Sequence, residues 1–237
     1  MRYVDAKDMD FRQLNETLRA MDGDVTVQGC LGHRFIGAGK AQGTLILEGI
    51  PGNAAGCYLN GGTLKIMGNA QDAVGDTMND GTIVIHGSVG DAAGYAMRGG
   101  SIFVQGDAGY RAGIHMKAFG DKIPAVVIGG RAGSFLGEYQ AGGNIVVLGL
   151  GCRDDQLMGM FCGTGMHGGK IWFRAATPPD RFPPQCKLQR EEDITPILPL
   201  LERFFGYFGG SLPEDGKVFW SLTPNSANPY KQMYCQN

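Results

Sequence analysis

Four copies of one seven-residue phrase stand at a fixed spacing: Gly43-Thr-Leu-Ile-Leu-Glu-Gly49, Gly62-Thr-Leu-Lys-Ile-Met-Gly68, Gly81-Thr-Ile-Val-Ile-His-Gly87 and Gly100-Ser-Ile-Phe-Val-Gln-Gly106. Their first glycines fall at 43, 62, 81 and 100, a period of 19 residues. A looser copy precedes them at Gly23-Asp-Val-Thr-Val-Gln-Gly29, and two follow, at Gly143-Asn-Ile-Val-Val-Leu-Gly149 and Gly169-Lys-Ile-Trp-Phe-Arg174. A degenerate one lies at Ala125-Val-Val-Ile-Gly129. A strand-bearing repeat this short cannot bury its own apolar side, so it has to stack on its neighbours.

Within each phrase the second and fourth residues after the first glycine are apolar, the period-two signature of a strand with those side chains inward. They form one column: Leu45, Leu47, Leu64, Ile66, Ile83, Ile85, Ile102, Val104, Ile145 and Val147. Between strands recurs G-x-x-G-x-x-x-G, at Gly49/Gly52/Gly56, Gly87/Gly90/Gly94, Gly106/Gly109/Gly113 and Gly130/Gly133/Gly137. A dinucleotide cradle needs such a loop once, ahead of a helix. Here it returns in four repeats with no helix behind it, so these glycines turn corners. The expected fold is all-β, a single parallel β-helix of about eight coils, roughly 38 Å long at the inter-strand spacing of about 4.8 Å. A further column, Leu59, Met78, Met97, Met116, Gln140 and Met166, fills a corner of the core. The adjacent one, Asn60, Asn79, Arg98, Lys117, Ala141 and His167, suits a corner ladder of asparagines, with its charged members facing solvent or a partner.

The middle outward position of the strands reads Ile46, Lys65, Val84, Phe103, Val146 and Trp172. A free sheet face should be polar there, so this row has to be covered. Either a terminal helix of the chain or another protein lies on it. Ile46, Val84, Phe103, Val146 and Trp172 are therefore the expected partner interface, and a second copy of this chain is one candidate partner.

The repeats span 23–176. Residues 1–22 form a helical cap: Phe11, Leu14, Leu18 and Met21 stand at helical spacing behind Asp8 or Asp10, either able to cap the helix. Such a cap hides the unpaired edge of the first coil. Residues 177–237 make the C-terminal extension. Thr177-Pro-Pro-Asp-Arg-Phe-Pro-Pro184 is an extended linker. A helix limited by Pro196 and Pro199 follows over about 191–207, and the aromatic, non-helical Val218–Tyr234 packs along the rod or onto a partner.

Composition narrows the function. Formal net charge is −2 with acids and bases interspersed, which gives no electrostatic basis for nucleic-acid or anionic-membrane binding. No apolar run reaches the roughly 18 residues of a membrane span, and Met1-Arg-Tyr-Val-Asp-Ala-Lys-Asp8 lacks the apolar centre of a signal peptide. Cys30, Cys57, Cys152, Cys162, Cys186 and Cys235 make no C-x-x-C pair, so they read as reduced thiols of a cytoplasmic protein. A metal or iron–sulfur role for Cys152 and Cys162 is the minor alternative. His33, His86, His115 and His167 show no metal-ligand spacing, although His115 and His167 both lie near corners and a shared cleft is conceivable. Asp72, Asp76, Asp91 and Asp107 fall at corners, where a carboxylate accepts backbone N–H bonds. Neither a G-x-S-x-G elbow nor a Walker loop is present. No catalytic, cofactor-binding or metal site is expected on this chain.

The Gly-corner repeats resemble the GXGXG family, the right-handed β-helix that closes the large subunit of glutamate synthase. The resemblance is carried by Gly68-Asn-Ala-Gln-Asp-Ala-Val-Gly-Asp-Thr-Met-Asn-Asp-Gly-Thr-Ile-Val-Ile-His-Gly87, by Gly90-Asp-Ala-Ala-Gly-Tyr-Ala-Met-Arg-Gly-Gly100, by Gly109-Tyr-Arg-Ala-Gly-Ile-His-Met-Lys117 and by Gly137-Glu-Tyr-Gln-Ala-Gly-Gly143. The start, Val4-Asp-Ala-Lys, and the end, Pro224-Asn-Ser-Ala-Asn-Pro-Tyr, look like the version found as a separate polypeptide. The resemblance implies a right-handed helix that binds no cofactor and performs no chemistry. It would hold a glutamine amidotransferase subunit and an FMN- and iron–sulfur-containing synthase subunit in register. The same family includes the β-helical subunits of formylmethanofuran dehydrogenase and N-methylglutamate synthase. An independent carbohydrate-active β-helix enzyme is the alternative of another class; it requires a long groove with paired acids.

Overall fold

The computed structural model describes residues 2–226. In chain order it contains β1 (Arg2–Asp5), α1 (Phe11–Arg19), β2 (Val25–Leu31), β3 (Thr44–Ile50), β4 (Asn60–Ile66), β5 (Asp80–Ile85), β6 (Ser101–Val104), β7 (Ala125–Ile128), β8 (Ala141–Val147), β9 (Gly168–Ala175), β10 (Cys186–Glu191), α2 (Leu198–Phe208) and β11 (Val218–Pro224). One sheet runs β1 to β9 in sequence order and ends β11–β10. The first nine strands pair in parallel. A thinner ladder of parallel bridges, Ala70–Val89–Ala108–Ala132–Met158, lies on another side. The result is a parallel β-solenoid of about eight turns.

Register follows the repeat directly, for Leu45 pairs with Leu64, Leu64 with Ile83 and Ile83 with Ile102. The step lengthens to 24 residues between Ser101 and Ala125 and to 26 between Asn144 and Lys170. Those extra residues leave the coil, one set as a turn bridged Phe119–Lys122, the other around a 3-10 turn at Asp154–Gln156. The inward column is buried throughout, and so is the Leu/Met corner column. Gln140 fits that column because its Nε2 donates to the carbonyls of Gly142 and Gly143, at 3.2 and 3.1 Å.

α1 caps the first coil as the sequence predicts, with Asp10 accepting from the N–H groups of Arg12 and Gln13 while Gln13 bonds back to Asp10. Leu14 and Leu18 are buried beneath it, and Asn15 donates to Arg34 O at 2.9 Å. β1 adds a strand beyond β2, so the first residues extend the sheet as well as capping it. At the other end, β11 turns antiparallel against β9, and β10 pairs outside it. The described part of the aromatic C-terminal segment thus closes the last coil instead of running along the rod; its remainder lies outside the described residues. Arg174, fully buried, secures the chain between α2 and β11 through Pro213 O at 3.0 Å and the Asp215 carboxylate. That guanidinium holds the Asp215 carboxyl below the usual carboxylate range.

Candidate partner interface

Of the five residues expected to meet a partner, Val84, Phe103 and Val146 are 0% exposed and Trp172 is 1% exposed. This corrects the expectation. Ile197, Leu201 and Phe204, at helical spacing, lay an apolar stripe over the row, and Phe219 joins them. The chain's own α2 therefore covers it. Trp172 also donates its Nε1–H to Asn144 Oδ1 at 3.0 Å, and Lys170 sits 4.2 Å over its ring. Ile46 alone remains half-exposed, on β3 beyond the helix.

A different surface is dressed for contact. Each coil turns a corner through two residues in the left-handed region, two before and two after a corner glycine. The first column is Phe35, Ala54, Ala73, Ala92, Arg111, Phe135 and Phe161; the second is Tyr58, Thr77, Ala96, His115 and Tyr139. This geometry costs a residue with a Cβ about 1–2 kcal/mol. It recurs because it points the backbone N–H along the rod axis: Arg111 N–H donates to Ser134 O at 2.9 Å, Phe135 to Met160 O at 2.8 Å and His115 to Glu138 O at 2.9 Å. Small residues would satisfy that ladder, and the middle coils use alanine. The later coils instead carry large rings that stack along the rod. Phe135 and Phe161 lie 4.9 Å apart at 21°, and His115 and Tyr139 lie 5.1 Å apart at 11° with Tyr95 edge-on at 5.9 Å. The Arg111 guanidinium covers Phe135 at 4.6 Å and pairs with Glu138 at 3.2 Å.

These rings are not hidden: Tyr95 and Phe161 are 40% and 55% exposed, and neighbouring Tyr110 is 54% exposed. Beside them runs an open groove of about 670 Å³, lined by Tyr110, Arg131, Ser134, Asp107 and Arg181 among others. A smaller apolar hollow at Met160, Phe161 and Phe182 adjoins it through the shared Arg181. Strained backbone carrying exposed, pre-stacked aromatics with arginines at the rim is the composition that dominates binding energy at protein interfaces. Stacking holds the rings in place before contact, so little side-chain entropy is lost on binding.

The titratable groups nearby are structural. Asp72 Oδ1 accepts from Asp91 N at 2.9 Å, Asp91 Oδ1 from Tyr110 N at 2.8 Å, and Asp107 Oδ1 from Arg131 N at 2.9 Å. Asp76 instead takes the Thr77 hydroxyl at 2.7 Å. The asparagine ladder lies at Asn53 and Asn69, which bond the N–H groups of Asp72 and Ser88, and not at Asn60 and Asn79. His33 is tied to Leu31 N–H and Met9 O, and His167 lies 3.1 Å from Gly165 O. Arg98 and Lys117 are exposed. Ser221 bonds the Glu191 carboxylate with Lys170 2.7 Å away, but Ser221 is buried among β9, β10 and β11, so the trio fastens the last strands. Among the described residues no group of three His, Cys, Asp or Glu is placed to hold a metal, and no helix is long and apolar enough to cross a membrane.

The five described cysteines are free, and Cys235 lies outside the described residues. Burial pushes the Cys30 and Cys186 thiols up to about 11 each and raises Cys57 and Cys162 as well. A neutral, shielded thiol is a poor nucleophile. At pH 8, Ellman's reagent should therefore label Cys30, Cys57, Cys162 and Cys186 only at the rate of unfolding; prompt labelling of any of them would show that its coil opens.

The aromatic corner is legible only as a column. Residues two before and two after each corner glycine have to be aligned before Arg111, Phe135, Tyr139 and Phe161 stand out against Ala54, Ala73 and Ala92.

The family model described by its GXGXG motif matches residues 11–212. The uncharacterized protein MJ1350 of Methanocaldococcus jannaschii is 42% identical over 250 residues, which cover 98% of this chain and 95% of that protein. A chain in the crystal structure of the formyltransferase/hydrolase complex FhcABCD from Methylorubrum extorquens, with methylofuran, superposes with a TM-score of 0.61. That likeness has 20% identity and covers 89% of this chain and 86% of the other. It shows a shared fold.

Proposed function

The chain belongs to the GXGXG family, and from that premise we propose that it is a non-catalytic subunit of a multi-subunit enzyme, a rigid rod that sets the spacing of its partners. The observation that carries this reading is the exposed, strained and pre-stacked aromatic corner. A solenoid fits the task because every coil is bonded to the next, so a displacement at one end is transmitted along the rod. The finer reading is a glutamate synthase-type assembly in the cytoplasm, in which a glutamine amidotransferase and an FMN- and iron–sulfur-containing synthase are the partners. It rests on the corner motifs and on the C-terminal Pro224-Asn-Ser-Ala-Asn-Pro-Tyr. A second reading places the chain in an assembly related to formyltransferase/hydrolase or formylmethanofuran chemistry. The likeness to a chain of FhcABCD favours it.

Purification of the native assembly, with mass spectrometry and a flavin absorbance scan, separates them. A flavoprotein with an amidotransferase supports the first, formyl-transferring subunits support the second, and a solitary chain overturns the subunit role. Within either assembly, Phe161→Ser should weaken association 10- to 30-fold, about 1.4–2 kcal/mol. The ring is more than half exposed, so the melting temperature of the isolated rod should stay within a degree or two.

A further inference from the structure

The outward face of the sheet is covered over only part of its length. The C-terminal turns of α2 reach β5 and β6: Arg203 donates to Thr82 Oγ1 at 2.8 Å and Ser101 Oγ at 3.2 Å and lies 4.7 Å over the Phe103 ring. Tyr207 packs 5.2 Å from Phe103, and Phe208 lies 5.1 Å from His86. The helix ends there, at Gly209. Beyond it the same outward rows continue across β4 to β1. The middle row runs Lys65, Ile46, Thr26 and Tyr3, with Thr26 only 3% exposed between its neighbours. Beside it Asp5 pairs with Gln28, Gln28 Nε2 donates to Glu48 Oε2 at 3.1 Å, and Met67 follows the end of β4. Leu31 and Ile50 pair at the strand ends. Leu31 is 77% exposed, Tyr3 66% and Met67 49%. A parallel sheet is ordinarily buried on both faces, and here no helix covers this stretch among the described residues: Lys65, Ile46, Thr44 and Thr63 are half-exposed and Tyr3, Glu48 and Met67 exposed.

We propose that this bare stretch seats one amphipathic helix of a partner subunit, laid end to end with α2. The inference rests on the subunit role above and names one contact within it. Size decides between a helix and a second rod. Four strands at about 4.8 Å span about 19 Å, the length of a helix of roughly 13 residues. Three outward rows, about 6.6 Å apart, give a footprint of a few hundred Å², well short of the roughly 800 Å² per partner of a stable dimer.

Continuity with α2 specifies the chemistry. The hydroxyl row that receives Arg203 continues as Thr63 and Thr44, whose side chains make no hydrogen bond among the described residues. Lys65, without an ion pair among the described residues, holds the place in the middle row that Phe103 holds two coils on. The side chain occupying the position equivalent to Arg203 should therefore be a carboxylate, accepting from the threonine hydroxyls and pairing with Lys65. The apolar stripe of the same helix would cover Ile46 and Met67.

The test is photo-crosslinking in the native host, with p-benzoylphenylalanine in place of Met67 in one strain and in place of Phe161 in another, followed by sequencing of the linked peptides. The expected result is that Met67 adducts map to a single partner segment with apolar residues at i, i+3 or i+4 and i+7 and an acidic residue beside them. Those adducts should fall at least tenfold when Lys65→Glu is added. Adducts to a second copy of this chain, to a segment without helical spacing, or at Phe161 alone overturn the helix proposal and leave the subunit role standing. Absence of adducts at both positions, with the chain migrating alone, overturns both.

Discussion

Phe103→Asp should lower the stability of the rod by at least about 4 kcal/mol, read as a shift in the denaturant midpoint. The ring is 0% exposed, between the inner strands and α2, with Arg203 and Tyr207 against it. Truncating a buried phenylalanine costs about 3–5 kcal/mol in lost contacts and residual cavity, and a carboxylate placed there adds its own desolvation. Arg203 would offset part of that charge but none of the packing. The same substitution at half-exposed Ile46, on the bare strands of the same row, should change stability by under about 1 kcal/mol. Equal, small effects at both positions would mean that α2 does not rest on the sheet in solution and that the row is free to bind a partner after all.

Gly81→Ala should be nearly as damaging, about 3 kcal/mol or more, although it adds a single methyl group. Gly81 has φ +97°, and a Cβ there would stand 2.3 Å from Gly62 O and 3.0 Å from Gly61 C in the preceding coil. Left-handed strain accounts for about 1–2 kcal/mol. The remainder is the clash with backbone, which can relax only by prising two coils apart. Gly120→Ala separates the two contributions. Its φ is +57°, but nothing lies within 4 Å, so it should cost only the conformational part, about 1 kcal/mol. Thermal melts of the two variants make the comparison; if they agree, coil-to-coil contact is looser than the geometry requires.

Individual residues show where sequence reasoning reached and where it stopped. The strand phrases, the Met78–Met97–Met116 column and the Asp10 cap could all be read in advance, because each depends on a local period or a local hydrogen bond. Even the degenerate Ala125–Ile128 copy is a fully buried strand in register with its neighbours. Trp172 and Phe103 were recognisable as residues that something must cover, yet the cover is α2, whose contact with them spans about a hundred residues in the case of Arg203 and Ser101. Such a contact leaves no periodic trace. For the same reason the sequence does not show that β11 turns antiparallel to close the last coil, or that the corner rings lie face to face.

The 19-residue repeat by itself determined the solenoid, its inward column and its glycine corners, since stacking identical short units admits one way of burying their apolar side. Only the tertiary structure decided which surfaces remain free. Whether an outward row meets solvent, the chain's own helix or another protein depends on where non-repeating ends fold back, and that is settled by the apolar area buried between distant segments and not by any pattern within one coil.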